Sequence, residues 1–175
     1  MAEEKTPAEI YPGAVIPEGL ALVVGSKLYE GSTDARRMYP NAIGMDIEPG
    51  PGVDFVHDIE QPLPQTYAHI HCYSVLEHVK RPWLAAQVLQ DALQPGGTIA
   101  ILTPFVWRIH GYPDDYWRFT PHCIRELFPR IHFEALGLYT VEGLRQVRNV
   151  RKTRTIEPGN VFLERTEVFG FGRKL

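Results

Sequence analysis

The sequence predicts an α/β fold, an open and mostly parallel β-sheet covered by helices, with an antiparallel strand expected near the C-terminal end. Three observations predict it. Short continuous apolar runs, suited to strands buried on both faces, end in Gly or Asp. Stretches with apolar residues at helical spacing lie between some of them, and the pieces follow the order β-α-β-β-α-β. The composition, 44% hydrophobic and 22% charged, can bury a core and excludes disorder as the main state.

Leu20 to Val24 is the first strand, closed by Gly25. A short helical stretch, Thr33 to Tyr39, leads to a second strand, Ala42 to Met45, which closes on Asp46. Val53 to Val56 is the third, ending near Asp58, and Tyr67 to Tyr73 the fourth. From Trp83 to Leu93 the residues Leu84, Val88, Leu89 and Ala92 recur at helical spacing. Pro95-Gly96-Gly97 breaks that helix, and Thr98 to Leu102 is the fifth strand. Residues 104 to 120 (PFVWRIHGYPDDYWRFT) have no period and read as a long loop leaving the carboxyl end of this strand, a place where loops are usually functional. Thr120 caps a helix that starts with Pro121 and runs to about Phe128. His132 to Val141 and Val161 to Phe169 are the last strands, joined by a basic connection.

At 175 residues the chain is expected to form one domain over 1–175, with an N-terminal segment 1–19, a core 20–130 and C-terminal strands 131–175. No apolar run approaches the ~20 residues of a membrane span, and MAEEKTPAEI is acidic where a secretory leader is basic, so a cytoplasmic protein is expected. Cys72 and Cys123 lie in no C-x-x-C pair and read as reduced thiols. Residues 1 to 144 hold 10 Lys+Arg against 18 Asp+Glu, whereas residues 145 to 175 hold 8 against 3. The basic stretch Arg145, Arg148, Arg151, Lys152 and Arg154 is either a solvated connection or a phosphate-facing surface for nucleic acid.

In open α/β sheets a ligand binds beyond the carboxyl ends of the strands, so the polar residues there carry the chemistry. The first strand is followed by Gly25-Ser26-Lys27-Leu28-Tyr29-Glu30-Gly31-Ser32. Asp46 follows Gly25 by 21 residues, where a carboxylate accepts both hydroxyls of a ribose. Asp58 and Glu77-His78 end the third and fourth strands. Together these suggest a nucleoside-containing ligand, while the missing G-x-G-x-x-G argues against a dinucleotide oxidoreductase. No metal is expected: His69 and His71 alternate on one strand face, but no sequence-near third ligand joins them.

Gly25-Ser26 to Glu30-Gly31-Ser32, IGMDIEPGPGVD (43–54), HDIE (57–60), SVLEHV (74–79), LQPGG (93–97) and HGYPDDYWRFT (110–120) together resemble the class I S-adenosylmethionine-dependent methyltransferases, and more closely a small type 11-like branch. The resemblance implies a Rossmann-like fold, S-adenosylmethionine as cofactor and an acceptor that is a small molecule or a glycan. It also implies roles for single residues. Gly25 and Ser26 would lie under the methionine part of the cofactor, Asp46 would bind the ribose, and Ile47 would pack on the adenine. Asp58 with Ile59 would border the adenine amino group, and Tyr73 and Ser74 would face the donor methyl.

The chain departs from the wider superfamily at Val23, where an acid is usual, and at Lys27, where a second glycine is usual. Either weaker cofactor binding or recruitment of Glu30 or Glu77 in place of the missing carboxylate is expected. The loop 104–120 is the candidate acceptor site, with His110 as a base partnered by Asp114 or Asp115. A cofactor-fold binding module or partner subunit that no longer methylates is the alternative, and oligomerisation is left open.

Overall fold

The computed structural model describes residues 4–111, 113–140, 143–146 and 165–175. Among the described residues eight strands form one mixed sheet in the order β3-β2-β1-β4-β5-β8-β6-β7. They are β1 (Ala21–Val24), β2 (Ala42–Asp46), β3 (Phe55–Val56), β4 (Tyr67–Tyr73), β5 (Leu93–Val106), β6 (Ile131–Thr140), β7 (Gly143–Gln146) and β8 (Thr166–Lys174). β1 to β5 run parallel, and β8 inserts antiparallel between β5 and β6. β7 returns antiparallel on β6. The expected sheet, with its antiparallel C-terminal strand, is therefore present.

Every residue of β1 and β4 is buried, which is why both read as unbroken apolar or aromatic runs rather than as alternating ones. On one face Leu22, Val24, Ile70, Cys72, Ile99 and Ile101 pack with Ala85, Ala86 and Leu89 of α2 (Pro82–Ala92) and with Ile124 of α3 (Pro121–Leu127). Proline opens both helices, and the Thr120 side chain accepts from the Cys123 backbone as the sequence predicts. Among the described residues the other face carries little helix. The one-turn α1 (Pro7–Ile10), closed by a Thr6–Glu9 capping box, brings Ile10 onto Tyr73, Leu102, Phe169 and Phe171.

Five expectations shift, the first being the third strand, which is confined to Phe55–Val56 instead of Val53 to Val56 because Val53 N turns back to Gly50 O. The stretch from Thr33 to Tyr39 is a 3-10 turn over Ala35–Met38, because the Asp34 side chain accepts from Arg36 N while Arg37 N and Tyr39 N donate three residues back, to Asp34 O and Arg36 O. β5 begins at Leu93 and runs to Val106, past the expected Leu102, because β8 pairs with it from Thr98 to Val106. β7 is an additional strand. The last strand is placed at Thr166–Lys174, so its expected start near Val161 lies outside the described residues. Tyr112 and the basic stretch from Arg148 to Arg154 also lie outside them, and Arg145 falls within β7.

His69 and His71 belong to a buried polar chain. The Tyr39 hydroxyl lies 2.8 Å from His71 Nδ1 and 3.2 Å from His69 Nε2. His69 Nδ1 meets Thr98 Oγ1 at 2.8 Å, and His71 Nε2 meets Glu4 at 3.2 Å. The chain thus ties the N-terminal segment through β4 to β5.

Candidate functional site

The strand order reverses around β1, whose neighbours β2 and β4 lie on opposite sides, and a crevice opens at the carboxyl ends of such strands. A cleft of about 200 Å³ lies there, lined by Lys27, Tyr29, Asp46, Ile47, Glu48, Gly111 and Pro113. It therefore joins the loop after β1, the end of β2 and the long loop after β5.

Gly25 turns the chain out of β1 at a φ of +71°, and a Cβ on it would meet Val75 at 2.6 Å. The PGPG segment closes on this turn from the other side. Leu28 N donates to Pro51 O, and Gly44 N donates to the Asp54 carboxylate at 2.6 Å. Asp46 holds the turn in place: its Oδ2 accepts from Lys27 N at 3.0 Å and its Oδ1 from Glu48 N at 3.2 Å. A carboxylate offers about four lone-pair sites, so acceptor capacity remains for a vicinal diol. Ile47 is 58% exposed at the cleft, an apolar surface for a flat ring. Ser26 is buried and its hydroxyl has no hydrogen-bond partner among the described residues. Lys27 lies along Gly50 and reaches Glu48 at 2.6 Å.

The remaining expected positions separate. Glu30 is exposed and does not line the cleft. The Asp58 carboxylate accepts from Glu60 N in a tight turn, and Ile59 is part of the core beneath α2. Tyr73 is turned into the core against Phe169 and Ile10, with its ring 3.9 Å from that of His71. Ser74 ends β4 at a φ of +52°, a left-handed conformation that costs a non-glycine residue energy, and its N donates to Leu102 O.

The loop 104–120 is ordered by Arg118. Its guanidinium donates to the Trp107 and Arg108 carbonyls and grips both Asp115 oxygens. Asp115 is held well below the usual carboxylate range, first by that Arg118 contact. His110 Nδ1 lies 3.0 Å from Asp115, so Asp115, and not Asp114, is its carboxylate partner. The Asp114 carboxylate accepts from the Tyr116 hydroxyl, and its carbonyl lies 2.6 Å from His78 Nδ1. Tyr116 N and Trp117 N donate to Glu77 O, which brings this loop against the end of β4. Glu77 is fully buried, and burial pushes its carboxyl up to about 7 against the lowering effect of a hydrogen bond from Thr103.

The sequence reading did not assemble Glu77, His78 and His110 as one group, although their ligating atoms lie within 4.8 Å of one another. The Glu-His pair was visible as a strand-end motif. Its third member, 32 residues on, was not.

The parallel β3-β2-β1-β4-β5 sheet, the antiparallel β8 and the cleft at the switch point make up a Rossmann-like fold. No family model matches the chain, and no curated protein matches it in sequence. Solved structures match well in fold and poorly in sequence. A methyltransferase of this cofactor class from Methanosarcina mazei superposes with a TM-score of 0.60 at 11% identity, over 89% of this chain and 92% of the other. The N-methyltransferase NodS of Bradyrhizobium japonicum, in complex with S-adenosylhomocysteine, gives 0.54 at 12%, over 89% and 77%. A putative methyltransferase of Haloferax volcanii, in complex with the Trm112 methyltransferase activator, gives 0.56 at 14%, over 89% and 81%. Among the described residues no helix is long and apolar enough to cross a membrane.

Proposed function

We propose that the chain is one methyltransferase domain that acts in the cytoplasm and moves a methyl group from S-adenosylmethionine to a small-molecule or glycan acceptor. One observation carries this reading: Asp46 and Ile47 line a cleft at the switch point that is also bordered by Gly111 and Pro113 of the loop 104–120. The residues fit the adenosine half of the cofactor. Asp46 has lone pairs left for the ribose hydroxyls, Ile47 offers its exposed face to the adenine, and the buried Ser26 hydroxyl beside the Gly25 turn has no partner among the described residues.

When bound, the cofactor would supply an electrophilic methyl on a sulfonium. The protein's own share is positioning, water exclusion and proton transfer. His110, oriented through Nδ1 by Asp115, holds the acceptor's hydroxyl or amine and takes its proton. Asp114 acts one step removed, by fixing His78 and Tyr116. Tyr116 and Trp117, 41% and 38% exposed, give the acceptor aromatic walls.

Calorimetry with S-adenosylhomocysteine tests the cofactor assignment. Saturable binding is expected, weakened at least about tenfold by Asp46→Ala, on the ~1–3 kcal/mol scale of a lost hydrogen bond. Absence of binding at millimolar ligand refutes it. A second reading, a binding module or partner subunit on the same scaffold, is favoured by Lys27, whose side chain reaches across the loop to Glu48. The Haloferax neighbour, solved with an activator protein, is a precedent for such pairing. Cofactor binding without methyl incorporation into any metabolite of a cell extract selects that reading.

A further inference from the structure

We propose that Glu77, His78 and His110 bind a divalent transition-metal cation, with zinc the best match, through two imidazole nitrogens and one carboxylate oxygen. The three residues each present one ligating atom within 4.8 Å of the others. Two come from the turn after β4 and the third from the loop 104–120, so the site forms only when that loop is folded against Glu77.

Hydrogen bonding sets the tautomer of both histidines. His78 Nδ1 lies 2.6 Å from the Asp114 carbonyl, which can only accept, so Nδ1 carries the proton and Nε2 carries the lone pair. That Nε2 stands 3.8 Å from Glu77 Oε1. His110 Nδ1 faces two acceptors, Asp115 Oδ2 at 3.0 Å and Arg108 O at 3.2 Å, so its Nε2 is also the free lone pair. The rings meet edge to face with centroids 4.9 Å apart. A backbone carbonyl on one imidazole and a clamped carboxylate on the other are the outer-shell partners that metal-binding histidines use.

Glu77 supplies an independent observation. Its residue is fully buried, its Oε2 accepts from Thr103 Oγ1 at 3.1 Å, and its Oε1 is buried with no hydrogen-bond partner among the described residues. An orphaned carboxylate oxygen beside two imidazole lone pairs lacks a positive group, and a cation supplies it. Ligand atoms on zinc stand about 3.4 Å apart at bond lengths near 2.0–2.1 Å, so the cluster has to tighten by up to about 1.4 Å, within reach of side-chain rotation. Two imidazoles and one carboxylate suit zinc or a neighbouring transition metal and disfavour magnesium, which prefers oxygen and water. The histidine side chains keep 12% and 23% exposure, which leaves a solvent path and a coordination position for water or an acceptor oxygen. A bound metal would take up the His110 lone pair and would supply Lewis acidity toward an acceptor oxygen in place of the proton acceptance proposed for His110.

The site rests on this geometry and not on the methyl-transfer reading, so its test involves no turnover. Full-length protein freed of metal by chelator dialysis is titrated with zinc chloride, and retained metal is counted after gel filtration. One equivalent is expected, with affinity lowered at least tenfold in His78→Ala, His110→Ala and the near-isosteric Glu77→Gln. His57→Ala and His122→Ala, outside the cluster, should bind as the parent does, and circular dichroism checks that each variant folds. Cobalt(II) loading should give a visible absorption band that changes in His110→Ala. Less than half an equivalent retained, or equal retention in all variants, overturns the proposal. Zinc binding without S-adenosylhomocysteine binding leaves the metal site standing and removes the cofactor assignment; the converse result does the reverse.

Discussion

Single residues carry the close approaches of this fold, and their consequences differ sharply. A Cβ on Gly44 would lie 2.3 Å from Gly52 O and 2.5 Å from Ser26 Oγ, both rigidly placed under the cleft. Gly44→Ala is therefore expected to cost at least about 2 kcal/mol, since the backbone of the PGPG segment has to move. Gly31, at a φ of +77° with nothing near its Cβ, is the control: Gly31→Ala should cost only the conformational strain, about 1 kcal/mol. Urea denaturation of both variants checks the contrast, and equal losses would show that crowding at Gly44 is not what matters. Ser74 offers the reverse case. Because its φ is already +52°, Ser74→Gly should leave stability within about 0.5 kcal/mol, whereas the β-branched Ser74→Val should lower it by about 1–2 kcal/mol.

At the scale of elements, the long loop after β5 is the part that composition described least well and structure describes best. Aromatic and charged residues without period gave only an irregular connection. In the fold, Arg118 satisfies the Trp107 and Arg108 carbonyls and both oxygens of Asp115, while Trp117 Nε1 donates to Val79 O at 2.9 Å. A guanidinium can serve these separate acceptors at once because its donors form a planar fork, and an ammonium cannot. Arg118→Lys should therefore behave much like Arg118→Ala: amides of residues 107–118 should exchange with deuterium at least about tenfold faster, while those of β4 and α2 stay protected. Unchanged exchange in the lysine variant would assign the ordering to packing of the buried Phe119 instead. The strands were far more legible. β4 appears at its expected bounds because seven consecutive buried positions leave a continuous signal. The far end of β5 was not legible, because it is set by pairing of Val106 with Thr166 of β8, distant in sequence.

Across the whole molecule, the chain from Glu4 through His71, Tyr39 and His69 to Thr98 joins the N-terminal segment, the turn before β2, β4 and β5. Burial pushes His69 down to about 3, with His71 adding to the effect and the Thr98 contact opposing it. The groups around its ring are His71 on β4, Tyr39 before β2, Thr98 on β5 and Phe171 on β8. The sign follows directly: the unfolded residue takes up a proton below about 6.5 and the folded one does not, so acid favours unfolding. This residue alone should remove up to about 1.4 kcal/mol of stability per pH unit below that point. Its imidazole NMR signals should remain those of the neutral ring at pH 5, and a titration near 6.5 would refute the assignment. Tyr39→Phe, which leaves both histidines facing a missing hydroxyl, should cost about 1–3 kcal/mol in urea.

The sequence alone determined the order of the parallel strands β1 to β5, the helices α2 and α3 and the placing of Gly25, Asp46 and Glu77-His78 at strand ends. Burial on both faces demands continuous apolar runs, and chain reversal demands glycine, proline or a capping side chain, all of which are local signals. Only the tertiary structure decided that Asp115 rather than Asp114 partners His110, that Tyr73 turns into the core, and that His110 closes on Glu77 and His78. Those outcomes depend on how a loop without periodicity folds back over a strand end. That path is set by hydrogen bonds between residues distant in sequence, and no local pattern records them.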